Sequence, residues 1–265
     1  MPQAARLASS TKKTMNICLF TNEEITKPLS RKDERAEHII KVLHKKEGDS
    51  FTAGIIGGQS GTAHIQSISD ENITFEFTAQ GDGKPLSCVD MIIGFPRPIQ
   101  LKRLLRDIAA LGVGRVHLTG TELGEKSYMQ STLVERGAAY KMLLDGTVQA
   151  GSTHVPELFL HKTLTECLDE VEKENYVAKL ALDNINPSCS LSKAVRDTAG
   201  GREASSGRDS RYIAAIGSER GWTDRERTML ENRGFVRCGM GERIMRTETA
   251  ATVAGSIILS ELGII

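Results

Sequence analysis

The rhythm of apolar and polar positions changes near residue 82. Before it, Asn72 to Thr78 alternates strictly, with Ile73, Phe75 and Phe77 on one face, which predicts a half-buried strand. Phe51 to Ile56 and Thr62 to Ser69 are further strand-like runs, separated by a turn that Gly57, Gly58 and Gly61 mark. Asn16 to Phe20 is also strand-like. Ser30-Arg31-Lys32-Asp33 offers a helix start, with Ile39, Ile40 and Leu43 on one face and Gly48-Asp49 as its end. Several short strands closed by glycine turns predict a small β-barrel.

Beyond Gly81-Asp82-Gly83-Lys84-Pro85 the pattern becomes strand-then-helix. Val89 to Gly94 predicts a buried strand. Pro98 stands where a helix begins, Leu101, Leu104, Leu105, Ile108 and Leu111 recur at helical spacing, and Gly112 supplies the C-terminal stop. Val113 to Leu118 predicts a strand, and residues 131–150 a helix bearing Leu133, Val134, Met142 and Leu143. Capping-box patterns at Thr163-Leu164-Thr165-Glu166 and Thr223-Asp224-Arg225-Glu226 open two more helices. Tyr176 to Leu182 and Tyr212 to Ile216 are continuous apolar runs of the kind parallel sheets bury on both faces. A last helix is predicted from about Thr247 to Leu262. This alternation predicts an α/β domain with a mostly parallel sheet. Thr198 to Ser210, rich in Gly and Ser, is expected as a loop or insertion.

Composition narrows the function classes. Of 265 residues, 39% are apolar and 26% charged, with a formal net charge of zero, so a nucleic-acid site would have to be a local patch. The five cysteines form no CxxC pair, and neither Cys nor His clusters at ligand spacing. Reduced thiols in a cytoplasmic protein without a metal site are therefore expected. The uncharged stretch Thr249 to Ser260 is too short to span a bilayer. Residues 1–14, basic and without acids, are expected to be a disordered extension rather than a targeting segment.

Two glycine-bearing segments follow late strands. Gly217-Ser218-Glu219-Arg220-Gly221-Trp222 lies between a predicted strand and a capped helix, the position of a cofactor loop in open α/β sheets, although an ordinary strand-to-helix turn would read the same. The second runs from Gly239 to Ala250. Its Gly239 and Gly241 lack the third glycine of a dinucleotide fingerprint, since Ile244 stands there. Arg243, Arg246 and Glu248 read either as a solvated helix start with an Arg–Glu pair or as an arginine cluster facing phosphate or nucleobase. From residue 194 to the end there are eleven arginines and no lysine, which favours planar bidentate contacts, but ten acids leave the span nearly neutral. No P-loop and no GxSxG nucleophile elbow is present.

Taken together, Ile216-Gly217-Ser218-Glu219-Arg220-Gly221-Trp222 and Gly241-Glu242-Arg243-Ile244-Met245-Arg246-Thr247-Glu248-Thr249-Ala250 resemble the paired signature of the RsmE family, within the SPOUT superfamily of knotted methyltransferases. Weaker landmarks include His38 to Leu43 with Glu47-Gly48-Asp49, Glu125-Lys126-Ser127-Tyr128, and Gln149-Ala150 through Val155-Pro156. The resemblance implies an N-terminal PUA-like β-barrel over 15–82, after the extension 1–14. A SPOUT-type α/β domain with a C-terminal trefoil knot would follow over 83–265. It also implies S-adenosylmethionine as methyl donor, no metal, N3 of a uridine in 16S ribosomal RNA as target, the small ribosomal subunit as partner, and a homodimer. Three departures stand out against the family: Ser218 and Arg220 within a loop that commonly reads Gly-Pro-Glu-Gly-Gly, His44 where the barrel landmark usually ends in arginine, and Ala109-Ala110 in place of Thr-Glu.

The resemblance assigns the cofactor to Gly217, Ser218, Glu219, Gly221, Met240, Gly241, Arg243, Ile244, Met245 and Thr247. Uracil N3 is a poor nucleophile while it keeps its proton, so a cation and a base are wanted there. Arg246 is expected to stabilise charge on the uracil, and Glu248 to accept the proton or to fix Arg246. N3 lies on the Watson–Crick edge, so the base must be unpaired or flipped. Expected RNA contacts are Arg31, Lys32, Lys41, Arg97, Lys102, Arg103 and Arg220. The apolar last helix, with Val253, Ile257, Ile258 and Leu262, would serve core or dimer interface. Two other readings stay open: a SPOUT methyltransferase acting on a ribose or another base, including in tRNA, and a non-catalytic RNA-binding ribosome-assembly protein.

Overall fold

The computed structural model describes residues 17–130, 137–199 and 210–265. The expected extension at 1–14, the start of the helix at 131–136 and most of the Gly/Ser-rich segment lie outside the described residues.

Alternating burial builds the first sheet. Its strands are β1 (Cys18–Phe20), β2 (Leu29–Ser30), β3 (Ser50–Ile55), β4 (Gln59–Ile68) and β5 (Asn72–Asp82), in the order β1-β3-β4-β5-β2. β1 runs parallel to β3, and the other neighbours are antiparallel. Phe51, Ala53, Ala63, Ile65 and Ile73 point inward, and Phe75 packs between Phe20 and Phe51 at centroid distances of 5.1 and 5.7 Å. The helix expected after Ser30 starts later. Asp33 caps a single α-turn, α1 (Glu34–Glu37), which widens into a π-helical turn over His38–Val42 and buries Ala36 and Ile39 against the sheet.

The second sheet has seven strands, all parallel, in the order β10-β12-β9-β11-β6-β7-β8. Four of them match the apolar runs of the sequence: β6 (Val89–Gly94), β7 (Arg115–Thr119), β9 (Tyr176–Leu182) and β11 (Arg211–Ile216). The remaining three, β8 (Glu157–His161), β10 (Cys189–Ser190) and β12 (Val236–Gly239), were not expected. They are short and carry polar residues, and their pairing comes from neighbours already in the sheet. The helices are α2 (Pro98–Ala110), α3 (Lys126–Met129), α4 (Ala138–Gln149), α5 (Leu164–Val171), α6 (Leu191–Ala199), α7 (Asp224–Asn232) and α8 (Thr247–Glu261). Pro98 opens α2, and Thr223 with Glu226 forms a complete capping box on α7. Glu166 instead accepts the backbone N–H of Lys162, so the cap of α5 is Thr163 alone. α8 packs on α2, α6 and β6. Ile258 and Leu259 go into the core, whereas Val253, Ile257 and Leu262 are half-buried.

The two halves meet at Thr153. Its hydroxyl donates to the carbonyl of Gly58 at 2.7 Å, and its carbonyl accepts from Gly57 at 2.8 Å, which seats it in the hairpin between β3 and β4. Lys141 of α4 adds an exposed ion pair to Glu34 of α1 at 3.0 Å.

Candidate active site

Sheet order decides where the site forms. β12, β9 and β11 are adjacent, so the segments after their carboxyl ends converge although they are far apart in sequence. A cavity of about 280 Å³ lies there. Leu182, Asp183 and Asn184 line it from the end of β9, residues 216–222 from β11, and Cys238, Met240, Gly241, Arg243, Ile244, Met245, Thr247 and Ala250 from β12 and α8. All ten residues that the resemblance assigns to a cofactor are in this wall.

The loop after β11 is a tight turn: Gly221 N–H donates to the Ser218 carbonyl at 2.9 Å, and Gly221 has φ +73°. Among the described residues only His44 and Asn186 combine a side chain with positive φ. Arg220 therefore replaces the family's glycine without backbone strain, and the glycine that this turn needs is Gly221. Gly94 matters from below. A Cβ on it would come within 2.5 Å of the Ser218 amide nitrogen, so the end of β6 can pass under the loop only as glycine. Trp222 is buried and donates its indole N–H to the Leu182 carbonyl at 3.1 Å. Thr247 donates to the Gly217 carbonyl at 3.3 Å, linking the two glycine segments.

Sequence reasoning missed the support of the cavity's third wall. Asp183 is buried at the end of β9 and accepts from Arg227 of α7 at 2.6 Å, with Arg237 at 3.7 Å. The Asp183 carboxylate raises the pKa of Arg227, which keeps its guanidinium charged. Nothing local marks Asp183, because its partner is 44 residues away.

A second cavity of about 280 Å³ adjoins the first. Its lining is Arg97, Gln100, Glu219, Ile244, Met245, Arg246 and Glu248, so Glu219, Ile244 and Met245 belong to both cavities. Arg246 is the N-cap residue of α8, and its side chain makes no capping bond. Among the described residues neither Arg243 nor Arg246 has an ion-pair partner, and Glu248 does not bind Arg246. The solvated Arg–Glu pair is thus not formed. The second cavity instead brings together a guanidinium without an ion pair, a carboxylate and the amino end of a helix, so that donors and an acceptor face one space. Gln100, one turn into α2, was not singled out by sequence.

The expected RNA contacts scatter. Arg97 lines the second cavity and pairs with Glu219 at 3.2 Å; Tyr128 and Glu219 together raise its pKa. Arg220 lines the first cavity and reaches Glu125 at 3.3 Å. Lys102 and Arg103 are exposed on α2. On the first half, Arg31 donates to the Ser69 carbonyl at 3.1 Å, Lys32 is exposed, and Lys41 pairs with Glu37 at 2.8 Å.

The first cavity fits a nucleoside-sized ligand with polar ends. Ser218 Oγ is buried in its wall without a hydrogen-bond partner, and an orphaned hydroxyl of this kind is satisfied when a ligand supplies one. Ile244, 83% exposed, and Met245 offer the apolar surface that an adenine or thioether needs.

Comparison with known proteins agrees with the geometry. The family model for an RNA methyltransferase domain matches residues 83–259. The chain is 38% identical over 253 residues to ribosomal RNA small subunit methyltransferase E of Treponema pallidum, covering 93% of this chain and 91% of that one. It is 31% identical over 245 residues to ribosomal RNA small subunit methyltransferase E 1 of Borreliella burgdorferi, covering 92% and 97%. In fold it is similar to a ribosomal RNA small subunit methyltransferase E from Neisseria gonorrhoeae bound to S-adenosyl methionine, with a TM-score of 0.73 at 21% identity, covering 93% of this chain and 97% of that one. The chain therefore belongs to the ribosomal RNA small subunit methyltransferase E family.

Proposed function

We propose that the protein transfers a methyl group from S-adenosylmethionine to N3 of a uridine in the RNA of the small ribosomal subunit. The observation that carries this reading is the pair of adjoining cavities. One is a cofactor-sized pocket built from both glycine segments, the other a polar pocket with Arg246 and Glu248, and they share Glu219, Ile244 and Met245. S-adenosylmethionine supplies the electrophilic methyl group. Gly217, Ser218, Glu219, Gly221, Met240, Gly241, Arg243, Ile244, Met245 and Thr247 would hold it.

Uracil occupies the second cavity, flipped out of any helix. As N3 loses its proton, charge spreads onto O2 and O4. Arg246 and the amino end of α8 stabilise that charge, and Arg97 and Gln100 add donors from the other side. Two carboxylates are available for the proton. Glu248 lines only the uracil cavity, whereas Glu219 stands on the wall between nucleophile and methyl, which favours Glu219.

The finer architecture belongs to the same reading. Register shifts in the β4–β5 ladder bend the first sheet, which supports a PUA-like barrel over 15–82 that anchors RNA through Arg31, Lys32 and Lys41. β11 and β12 flank β9 on opposite sides before α8 returns to β6, a course that supports a trefoil knot within 83–265. Lys102, Arg103 and Arg220 extend the RNA surface. The half-buried Val253 and Ile257 of α8 suit a homodimer, and reduced cysteines suit the cytoplasm. Among the described residues, no helix is long and apolar enough to cross a membrane.

The test is methylation of small subunits lacking the modification, using the full chain and isotope-labelled S-adenosylmethionine, followed by nuclease digestion and mass spectrometry. Labelled 3-methyluridine is the expected product. A labelled ribose or another base would replace the N3 assignment, and no S-adenosylmethionine binding by calorimetry would replace catalysis with RNA binding alone.

A further inference from the structure

The spacing of His and Cys along the chain argues against a metal site, but strand pairing undoes that argument. In the β7–β8 ladder His117 pairs with Phe159 and Thr119 with His161, so His117 and His161 share one face, a diagonal apart. That face is covered by α5, which brings Cys167 to it. His117 Nδ1 lies 3.0 Å from His161 Nε2, and one candidate ligand atom from each of His117, His161 and Cys167 falls within 4.8 Å of the others.

We propose that His117, His161 and Cys167 form a binding site for one divalent transition-metal ion of borderline softness, with zinc the best match. Two imidazoles and a thiolate are the donor types zinc takes, and hard ions such as magnesium or calcium prefer oxygen. Zinc bonds of about 2.0–2.3 Å hold their ligand atoms roughly 3.3–3.7 Å apart. The present spread, from 3.0 Å between the imidazoles to at most 4.8 Å, brackets that span, so small side-chain rotations close the site.

The cluster is also polar where burial is costly. His117 is 3% exposed, and its Nε2 has no hydrogen-bond partner. Burial holds both imidazoles in the neutral form that binds metal, with the His117 pKa down at about 4 and that of His161 lowered. Burial raises the Cys167 thiol, so the metal must displace its proton: thiol plus Zn²⁺ gives zinc thiolate plus one H⁺. Glu170, one turn after Cys167, acts electrostatically on all three donors and now holds Lys173 at 2.6 Å. With the thiolate it would balance a 2+ ion. His161 is half-buried and leaves the approach open. A bound ion would staple β7, β8 and α5 together, so the role is structural and independent of the methyl-transfer reading.

The experiment titrates the chelator-stripped full chain with zinc chloride against a chromophoric chelator at pH 6.5 and 7.5. One equivalent is expected, binding about ten-fold tighter at the higher pH as the thiol proton is released. Cys167→Ala and His161→Gln should each weaken it about 100-fold or more, and zinc should raise the Tm of the parent chain but not of His161→Gln. His161 is half-exposed, so that variant tests the site even if Cys167→Ala unfolds. Equal zinc affinity in the parent and His161→Gln, or a pH-independent affinity, would overturn the proposal. Tight copper(I) binding without zinc binding would overturn the divalent assignment.

Discussion

The Thr247 hydroxyl and the Gly217 carbonyl, 3.3 Å apart, join the loop after β11 to the first residue of α8. Thr247 is 3% exposed, so neither group has water as an alternative partner. Thr247→Val keeps the shape and leaves the carbonyl without its donor, at a cost of about 1 kcal/mol. The expected outcome is a roughly five-fold weaker dissociation constant for S-adenosylmethionine by calorimetry, since about 1.4 kcal/mol is ten-fold. Unchanged affinity would mean that the two segments are held together by packing alone.

The candidate site was outlined before the fold was known because the family resemblance rests on two continuous segments. Glycine at 217, 221 and 241 and the residues through Ala250 sit in two continuous segments whose spacing is set by a turn and a helix start. All ten predicted cofactor residues therefore fall in one cavity. Asp183, Gln100 and the His117–His161 pair were not legible, because strand order and helix packing bring them to their partners. β12 was missed for a related reason. Its Arg237 looks like a surface residue, yet its guanidinium lies 2.7 Å from Glu231 and 3.7 Å from Asp183, and donates to the Ile185 carbonyl at 3.2 Å.

Trp222 is the single tryptophan of the chain and lines the first cavity. Its environment changes when a ligand displaces water there. Intrinsic fluorescence should therefore shift in emission or intensity and saturate with S-adenosylmethionine, giving the same dissociation constant as calorimetry. A flat titration alongside calorimetric binding would place the ligand outside the first cavity.

Arg220 is exposed, and among the described residues its one ion pair is a surface contact with Glu125, worth little in water. Its backbone does not need glycine. Arg220→Ala should accordingly keep the turn of the loop, and any change in S-adenosylmethionine affinity should be small beside its effect on RNA binding. If it touches phosphate, the variant weakens RNA binding and lowers the slope of log affinity against log salt by about one. An unchanged slope removes Arg220 from the RNA surface.

Arg35 anchors the first half. It binds Glu24 at 2.9 Å, Asp33 at 2.7 Å and the Leu19 carbonyl at 2.9 Å, and lies 4.8 Å from the centre of the Phe20 ring. The Arg35 hydrogen bond holds the Glu24 pKa down at about 2, below its ordinary 4.5, and it lowers Asp33 as well. A depressed carboxylate contributes stability above its unfolded pKa and loses it as pH falls through the folded one. The Glu24 contribution should therefore be full above pH 4.5 and vanish toward pH 2. Glu24 is 43% exposed, which screens the pair to below about 1 kcal/mol. Thermal melts of Glu24→Gln should fall below those of the parent at pH 7 and converge with them near pH 2. A constant gap would assign the difference to packing.

Arg246 and the two carboxylates can be separated by kinetics. Arg246 belongs to the second cavity and not the first, so Arg246→Ala should leave S-adenosylmethionine affinity intact and lower kcat by about 100- to 1000-fold, the loss typical of one oxyanion donor. Without the guanidinium the uracil ionises less readily, and the rate should keep climbing to higher pH than in the parent. Full methylation by Arg246→Ala would end the assignment. Glu219→Gln removes a base from the wall shared by methyl and uracil, and Glu248→Gln removes one from the uracil side alone. If Glu219 takes the N3 proton, Glu219→Gln loses kcat by about 100-fold or more, within the range of general-base catalysis, and Glu248→Gln stays within about ten-fold. The reverse order would return the proton to Glu248. Glu219 also holds Arg97 at 3.2 Å, so Arg97→Ala is the control. It should lower kcat less than Glu219→Gln does, because it removes one of several donors and not the base.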